Sequence, residues 1–89
     1  AERIGRAIAR AEADWPRTLD RLAALVRIPS CSFPGFDPAH VAASAAATAA
    51  WLRDAGYPDV RVLPGGGDHP AVLAIDRRAG PDRPTLLLY

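Results

Sequence analysis

The segment Thr85–Tyr89, TLLLY, is apolar at nearly every position and shows no alternation. That run restricts the possible folds more than any other feature of the chain. Successive side chains of a strand point to opposite faces, so a strand with one wet face alternates apolar and polar residues. A run without alternation needs cover on both faces, the condition of central, typically parallel strands in α/β sheets. Leu86 and Leu88 would face one side, and Thr85, Leu87 and Tyr89 the other. The expected fold class is therefore α/β, with Thr85–Tyr89 as a buried third strand.

The segments before it supply the other layers. Ile4, Ile8, Ala11 and Trp15, then Leu19, Leu22, Leu25 and Val26, recur at the helical spacing of three and four. Pro16 interrupts this pattern, since a proline inside a helix loses a hydrogen bond and clashes with the preceding turn. A kink or restart is expected there, with Asp14 near the new N-cap. Pro29 ends the segment at about Ile28. After the loop PSCSFPGFDP, a second helical segment starts with Asp37 as N-cap and Pro38 as its first residue. Its inner face is Val41, Ala45, Thr48, Ala49 and Leu52, and Gly56 closes it. DVRVLP then alternates as a half-exposed strand with Val60 and Val62 on one face, and AVLAID follows the loop GGGDH and Pro70 as a second strand. The reading is thus two helical segments followed by three strands, without internal repeats.

Composition narrows the function classes. The chain has 89 residues, 49% of them hydrophobic and 24% charged, a globular composition. A chain this short buries only roughly 60 to 65% of the surface its unfolded form exposes, so its stability margin is thin. Net charge is +1, which leaves no electrostatic footprint for nucleic acid or an anionic membrane. No stretch approaches the ~20 apolar residues of a membrane helix. The first fourteen residues, AERIGRAIARAEAD, spread their charges among the apolar positions, unlike a signal peptide, and a cytoplasmic location is expected. Arginines 3, 6, 10, 17 and 21 alternate with Glu2, Glu12 and Asp20. Without exposed aromatics to stack on bases, this stripe reads as a solvated, salt-bridged face.

Few residues suggest chemistry. Cys31 is the single cysteine, so there is no internal disulfide and no paired-cysteine metal site. Cys31 and His40 could be imagined as a nucleophile and base, yet no third group orients them, and Cys31 between Ser30 and Ser32 reads as a loop thiol. GGGDHP resembles a phosphate cradle only superficially, because it leads to Pro70 and a strand instead of a helix N-terminus. His40 and His69 with Asp37, Asp68 and Asp76 are the only conceivable metal set. They lie on separate loops without the short paired spacing of zinc ligands. Glu2, Glu12 and Asp14 are carboxylates on a helix surface, where ion pairing is the default role. No catalytic, cofactor-binding or metal-ligating residue is assigned within the chain.

The ordered set LAALVRIPSCS, VAASAAATAAWLRDAGY, DVRVL, HPAVLAI and GPDRPTLLLY resembles the opening of the di-zinc metallopeptidases. That family includes carnosine-type dipeptidases, aminoacylases, carboxypeptidase G and succinyl-diaminopimelate desuccinylases. The likeness runs from about Leu19 to Tyr89 and is closest to the dipeptidase branch, where an IPS turn, an HP strand start and a PTLLLY strand occur in this order. It implies that residues 1–89 are the N-terminal part of a three-layer αβα zinc-exopeptidase-like catalytic domain. In that family the third strand leads into a Gly-His-x-Asp segment, whose His is the first zinc ligand and whose Asp supports it. The bridging Asp, the Glu general base and the other ligands come later still, and none maps onto a position of this chain. His69 matches a structural position of the family and not a ligand.

What the resemblance implies for the full-length enzyme is peptide or amide hydrolysis by two zinc ions, or cobalt or manganese, sharing a water of lowered pKa. A second, inserted domain would supply the contacts of a homodimer and grip a short peptide substrate. These 89 residues would be scaffold, inactive alone, with the remainder of their own domain as partner. The rival expectation is a stand-alone small α/β module that binds a protein through its sheet, without catalysis.

Overall fold

The computed structural model describes residues 1–65 and 69–89. In chain order the elements are α1 (Glu2–Ala13), α2 (Trp15–Val26), α3 (Pro38–Asp54), β1 (Asp59–Leu63) and β2 (Ala71–Ile75). The architecture is a small α/β arrangement of three helices and one two-stranded antiparallel sheet.

The first helical segment is two helices, not one. Pro16 falls at the start of α2, where its missing N–H is no loss. Asp14 forms the joint and keeps right-handed helical dihedrals, φ −85° and ψ −3°. It stands at the N-cap as the sequence suggests, but its carboxylate makes no capping bond and accepts instead from Arg10 Nε at 2.7 Å. The helix ends at Val26, two residues before the expected limit, and Ile28 N–H donates to the Leu25 carbonyl at 3.1 Å before Pro29.

Between α2 and α3 the chain reverses through Phe33–Pro34–Gly35–Phe36, where Phe36 N–H donates to the Phe33 carbonyl at 3.3 Å. Pro34 supplies the fixed φ of the first central position, and Gly35, at φ +93°, the positive φ of the second.

The capping signals of α3 act as read. Asp37 is extended at ψ 116°, and its carboxylate accepts from Ala39 N–H at 2.9 Å, satisfying one orphan donor of the first turn. At the other end Gly56 has φ +103°, Gly56 N–H donates to the Arg53 carbonyl at 3.0 Å, and Tyr57 N–H to the Leu52 carbonyl at 3.3 Å. This pair of bonds is the Schellman closure. A Cβ at Gly56 would meet no atom within 4 Å, so the demand for glycine comes from the backbone alone. Gly56→Val is expected to cost about 1 kcal/mol or more, because a β-branched residue resists the left-handed region. An unchanged melting midpoint would contradict it.

The two strands pair antiparallel in the register Asp59↔Ile75, Val60↔Ala74, Arg61↔Leu73, Val62↔Val72 and Leu63↔Ala71. Pleating sends Val60, Val62, Val72 and Ala74 to one face and Asp59, Arg61, Leu63, Ala71, Leu73 and Ile75 to the other. α3 packs against both strands, and Val60, Val72 and Ala74 on the first face are half-buried. Its contact side is the one read from spacing: Ala45 and Ala49 are buried, and Val41, Thr48 and Leu52 half-buried. Alanine at these positions lets the helix backbone come close to the sheet. Arg53 Nη2 donates to the Val60 carbonyl at 3.4 Å and adds a polar tie.

The two expected helical segments are three helices, because the restart expected at Pro16 divides the first. Two other expectations are corrected. The sheet has two strands instead of three among the described residues. Residues 84–89 take no regular structure, and Leu86, Leu87 and Leu88 are 81%, 82% and 74% exposed. A strand is held by a paired backbone ladder and by packing on its faces, and this run has neither. The inner face expected for α1 and α2 is also uncovered: neither helix contains a buried residue, and Ile4, Ile8, Trp15, Leu19, Leu22 and Val26 are exposed.

The chain therefore carries more surface than its size requires. Its accessible area is 7505 Å², whereas a folded monomer of this mass exposes about 5,000 Å². Its radius of gyration is 15.9 Å, against about 12 Å for a compact domain of the same length.

Candidate functional site

Among the described residues, those that suggested chemistry do not converge. Cys31 lies half-buried in the loop after α2, while His40 is exposed in the first turn of α3. No side-chain hydrogen bond joins them among the described residues. Asp37 is engaged as the cap of α3, and Asp76 is held by Arg78. His69 is exposed ahead of β2. Asp68, together with Gly66 and Gly67 of the glycine loop, lies outside the described residues. A Cβ on Gly65 would run into the His69 carbonyl, so glycine at position 65 is required by close backbone approach. Among the described residues no group of three or more His, Cys, Asp or Glu side chains is arranged to hold a metal ion. No described helix is long and apolar enough to cross a membrane.

The polar order of the molecule lies in arginine clamps. Arg61 grips Asp59 with two bonds, Nε at 2.9 Å and Nη2 at 2.7 Å. Arg78 grips Asp76 in the same manner, at 2.9 and 2.7 Å, and its backbone N–H adds a third bond at 3.1 Å. Arg78 Nη2 also donates to the Gly56 carbonyl at 3.2 Å, fastening the end of β2 to the closure of α3. Pro58, Asp59, Arg61, Ile75, Arg77 and Arg78 line an open recess at this end of the sheet.

The side-chain bond from Arg78, helped by its backbone N–H, lowers the Asp76 carboxyl to about 2. The Arg61 bond lowers Asp59 as well. Both groups stay ionised through the neutral range, so neither suits proton transfer, which wants a pKa near the working pH. The recess also contains no hydroxyl, thiol or imidazole. Its chemistry is fixed charge, two arginines already neutralised and Arg77 beside them.

The sign of the pH dependence follows from the lowered carboxyl. A group whose folded pKa lies below the ordinary value of 3.8 contributes stability that is complete above about pH 4 and lost as pH falls toward 2. Arg78→Ala is expected to return the Asp76 titration, followed by NMR on the side-chain carbons, toward 3.8. A titration that stays near 2 would show that Arg78 is not the cause.

A second polar cluster joins the helices. The Arg21 guanidinium lies over the Trp51 ring, 5.7 Å from its centre, and its Nη2 reaches Asp54 Oδ2 at 3.3 Å. Beside it, Ala24, Leu25, Ile28 and Ala47 line a shallow apolar groove between α2 and α3. Of the charged stripe expected to be salt-bridged, Arg6 pairs with Glu2 at 3.7 Å, while Arg10 pairs with Asp14 at 2.7 Å and Arg21 with Asp54, and among the described residues Glu12 and Asp20 join no ion pair. The expected lack of exposed aromatics is overturned: Trp15, Phe33 and Phe36 are 57%, 72% and 57% exposed. The aspartate–arginine clamps had a signal in the sequence, Asp-x-Arg at both DVR and DRR: Asp59 and Arg61 share a face of β1, and Asp76, just after β2, accepts from the Arg78 N–H two residues on, an Asx-type turn. The Arg21–Trp51–Asp54 contact had none, because it depends on how α2 and α3 meet.

Compared with known protein families, curated proteins and solved structures, the chain matches none.

Proposed function

We propose that these residues are the N-terminal scaffold of a metal-dependent dipeptidase-type hydrolase, inactive by themselves. One observation carries the reading: the chain has the elements of one side of an α/β domain and leaves the surfaces that would bind the other side bare. The uncovered stripe on α1 and α2, the open face at Leu63 and Leu73, and the run Leu86–Leu88 together account for much of the excess surface. The order of its sequence segments supplies the identity of the missing part.

In this reading the domain is a three-layer αβα zinc-exopeptidase-like unit, and Thr85–Tyr89 becomes its third strand when neighbours pair with it. The carboxyl ends of strands are where open α/β sheets place their ligand crevice, so this strand would aim the next residues at the metal centre. Among the described residues the chain's own side chains do not fit a zinc pair. Cys31, His40 and His69 are scattered, Asp37 and Asp76 are engaged elsewhere, and the ligands belong to later segments. A cytoplasmic homodimer acting on short peptides completes the proposal. A second reading, a stand-alone interaction module, draws on the same bare sheet face, where Leu63 and Leu73 are exposed.

Reading the ten codons that follow Tyr89 in the source gene separates the two. A Gly-His-x-Asp continuation supports the hydrolase, and a stop codon overturns it. For the 89-residue chain, calorimetric titration at neutral pH is expected to show no stoichiometric zinc binding, since a co-catalytic site needs converging ligands. Submicromolar binding that disappears in a His40→Ala, His69→Ala variant would sink the scaffold assignment.

A further inference from the structure

Among the described residues β2 is paired on one side only, so along its free edge the backbone N–H and C=O groups point outward without strand partners. Such an edge is a template for another strand unless charge, proline or a bulge blunts it. Inside β2 there is none of these, although Pro70 and Asp76 flank it: its sequence is Ala-Val-Leu-Ala-Ile, and all five residues pair in continuous register with β1. β1 carries Asp59 and Arg61 and is bounded by Pro58 and Pro64.

The same chain presents an unpaired segment of matching length. Thr85–Tyr89 has no secondary-structure partner, its three leucines are almost fully exposed, and its composition suits a strand. Between β2 and this segment the chain runs through turns, and the segment does not pair with its own β2. Gly80 N–H donates to the Arg77 carbonyl at 3.1 Å and Arg83 N–H to the Gly80 carbonyl at 3.4 Å, forming successive turns. Gly80 has φ +98°, Pro81 and Pro84 stiffen the path, and the Arg78 bonds to Asp76 and Gly56 hold its start.

We infer that Thr85–Tyr89 of one copy adds as a strand to the free edge of β2 in a second copy of this chain. The reading does not depend on the hydrolase proposal, since it uses only the open edge and the unpaired segment. Backbone pairing supplies the attraction, and the alternating leucines gain cover against the neighbouring sheet.

The test is sedimentation velocity of the 89-residue chain over a wide concentration range, with infrared amide spectra on the same samples. Association that rises with concentration, together with growth of the β band, is expected. Leu86→Pro with Leu88→Pro removes two N–H donors from a largely exposed segment that belongs to no strand or helix of the fold. That variant should keep the helical circular dichroism and weaken association by about tenfold or more. A monomer at every concentration would overturn the inference. So would association undiminished in the proline variant, and an Ile8→Lys, Leu22→Lys variant would then show whether the helix stripe is the contact.

Discussion

Replacing Ala49 with Asp is expected to detach α3 from the sheet and unfold the chain at room temperature. Ala49 is the one side chain at 0% exposure, and Ala45 is the only other buried residue among those described. Together they are the point at which α3 meets the half-buried Val60, Val72 and Ala74. No buried polar partner waits there for a carboxylate. An unpaired charge in such a position costs several kcal/mol or forces the contact open. A domain of this size, with so little buried, has a margin of no more than about 5 kcal/mol. Ala46→Asp is the control: residue 46 lies on the same helix but is exposed, and only the modest helix-propensity difference, under about 1 kcal/mol, applies. Far-ultraviolet circular dichroism through a thermal scan checks the pair. Equal melting midpoints for the two variants would place the core elsewhere.

That contrast also shows what the sequence made legible. Local signals were sufficient wherever a single residue decides the backbone. Asp37 and Pro38 start α3, Gly56 closes it, and alternation in DVRVL sets the face that α3 covers. The buried face of α3 could be read because its period is uninterrupted and its neighbours in the chain, β1 and β2, are the surfaces it packs on. Thr85–Tyr89 and the α1–α2 stripe were read correctly as apolar, yet their burial depends on partners that these 89 residues do not provide. Hydrophobic pattern states a demand for cover, and only tertiary structure says whether it is met. Polar contacts divide in the same way: the Asp59–Arg61 pair lies two residues apart in one strand, whereas the Arg78 tie to Gly56 spans 22 residues and needs the turn geometry at both ends.

The largest contrast should come from the helix stripe, tested in two settings. Ile4, Ile8, Trp15, Leu19, Leu22 and Val26 are between 44% and 75% exposed, so in the 89-residue chain they contribute little to folding. Trp15→Lys and Leu22→Lys should each change the stability of that chain by no more than about 0.5 kcal/mol, as substitutions at exposed positions do. The same pair should reduce the binding of a hydrophobic dye, which the unmodified chain is expected to show because these large apolar side chains lie open. In a longer chain that completes the proposed domain, the stripe would be covered, and fully burying a leucine is worth roughly 1.5 to 3 kcal/mol. Each lysine would then place a charge in an apolar contact and cost several kcal/mol, enough to abolish folding and with it any hydrolase activity. Stability measured by denaturant titration in both settings decides the matter. Substitutions that are silent in the short chain and also silent in the long one would mean that nothing covers α1 and α2. In that case the excess surface belongs to a free interaction face, and the module reading displaces the scaffold.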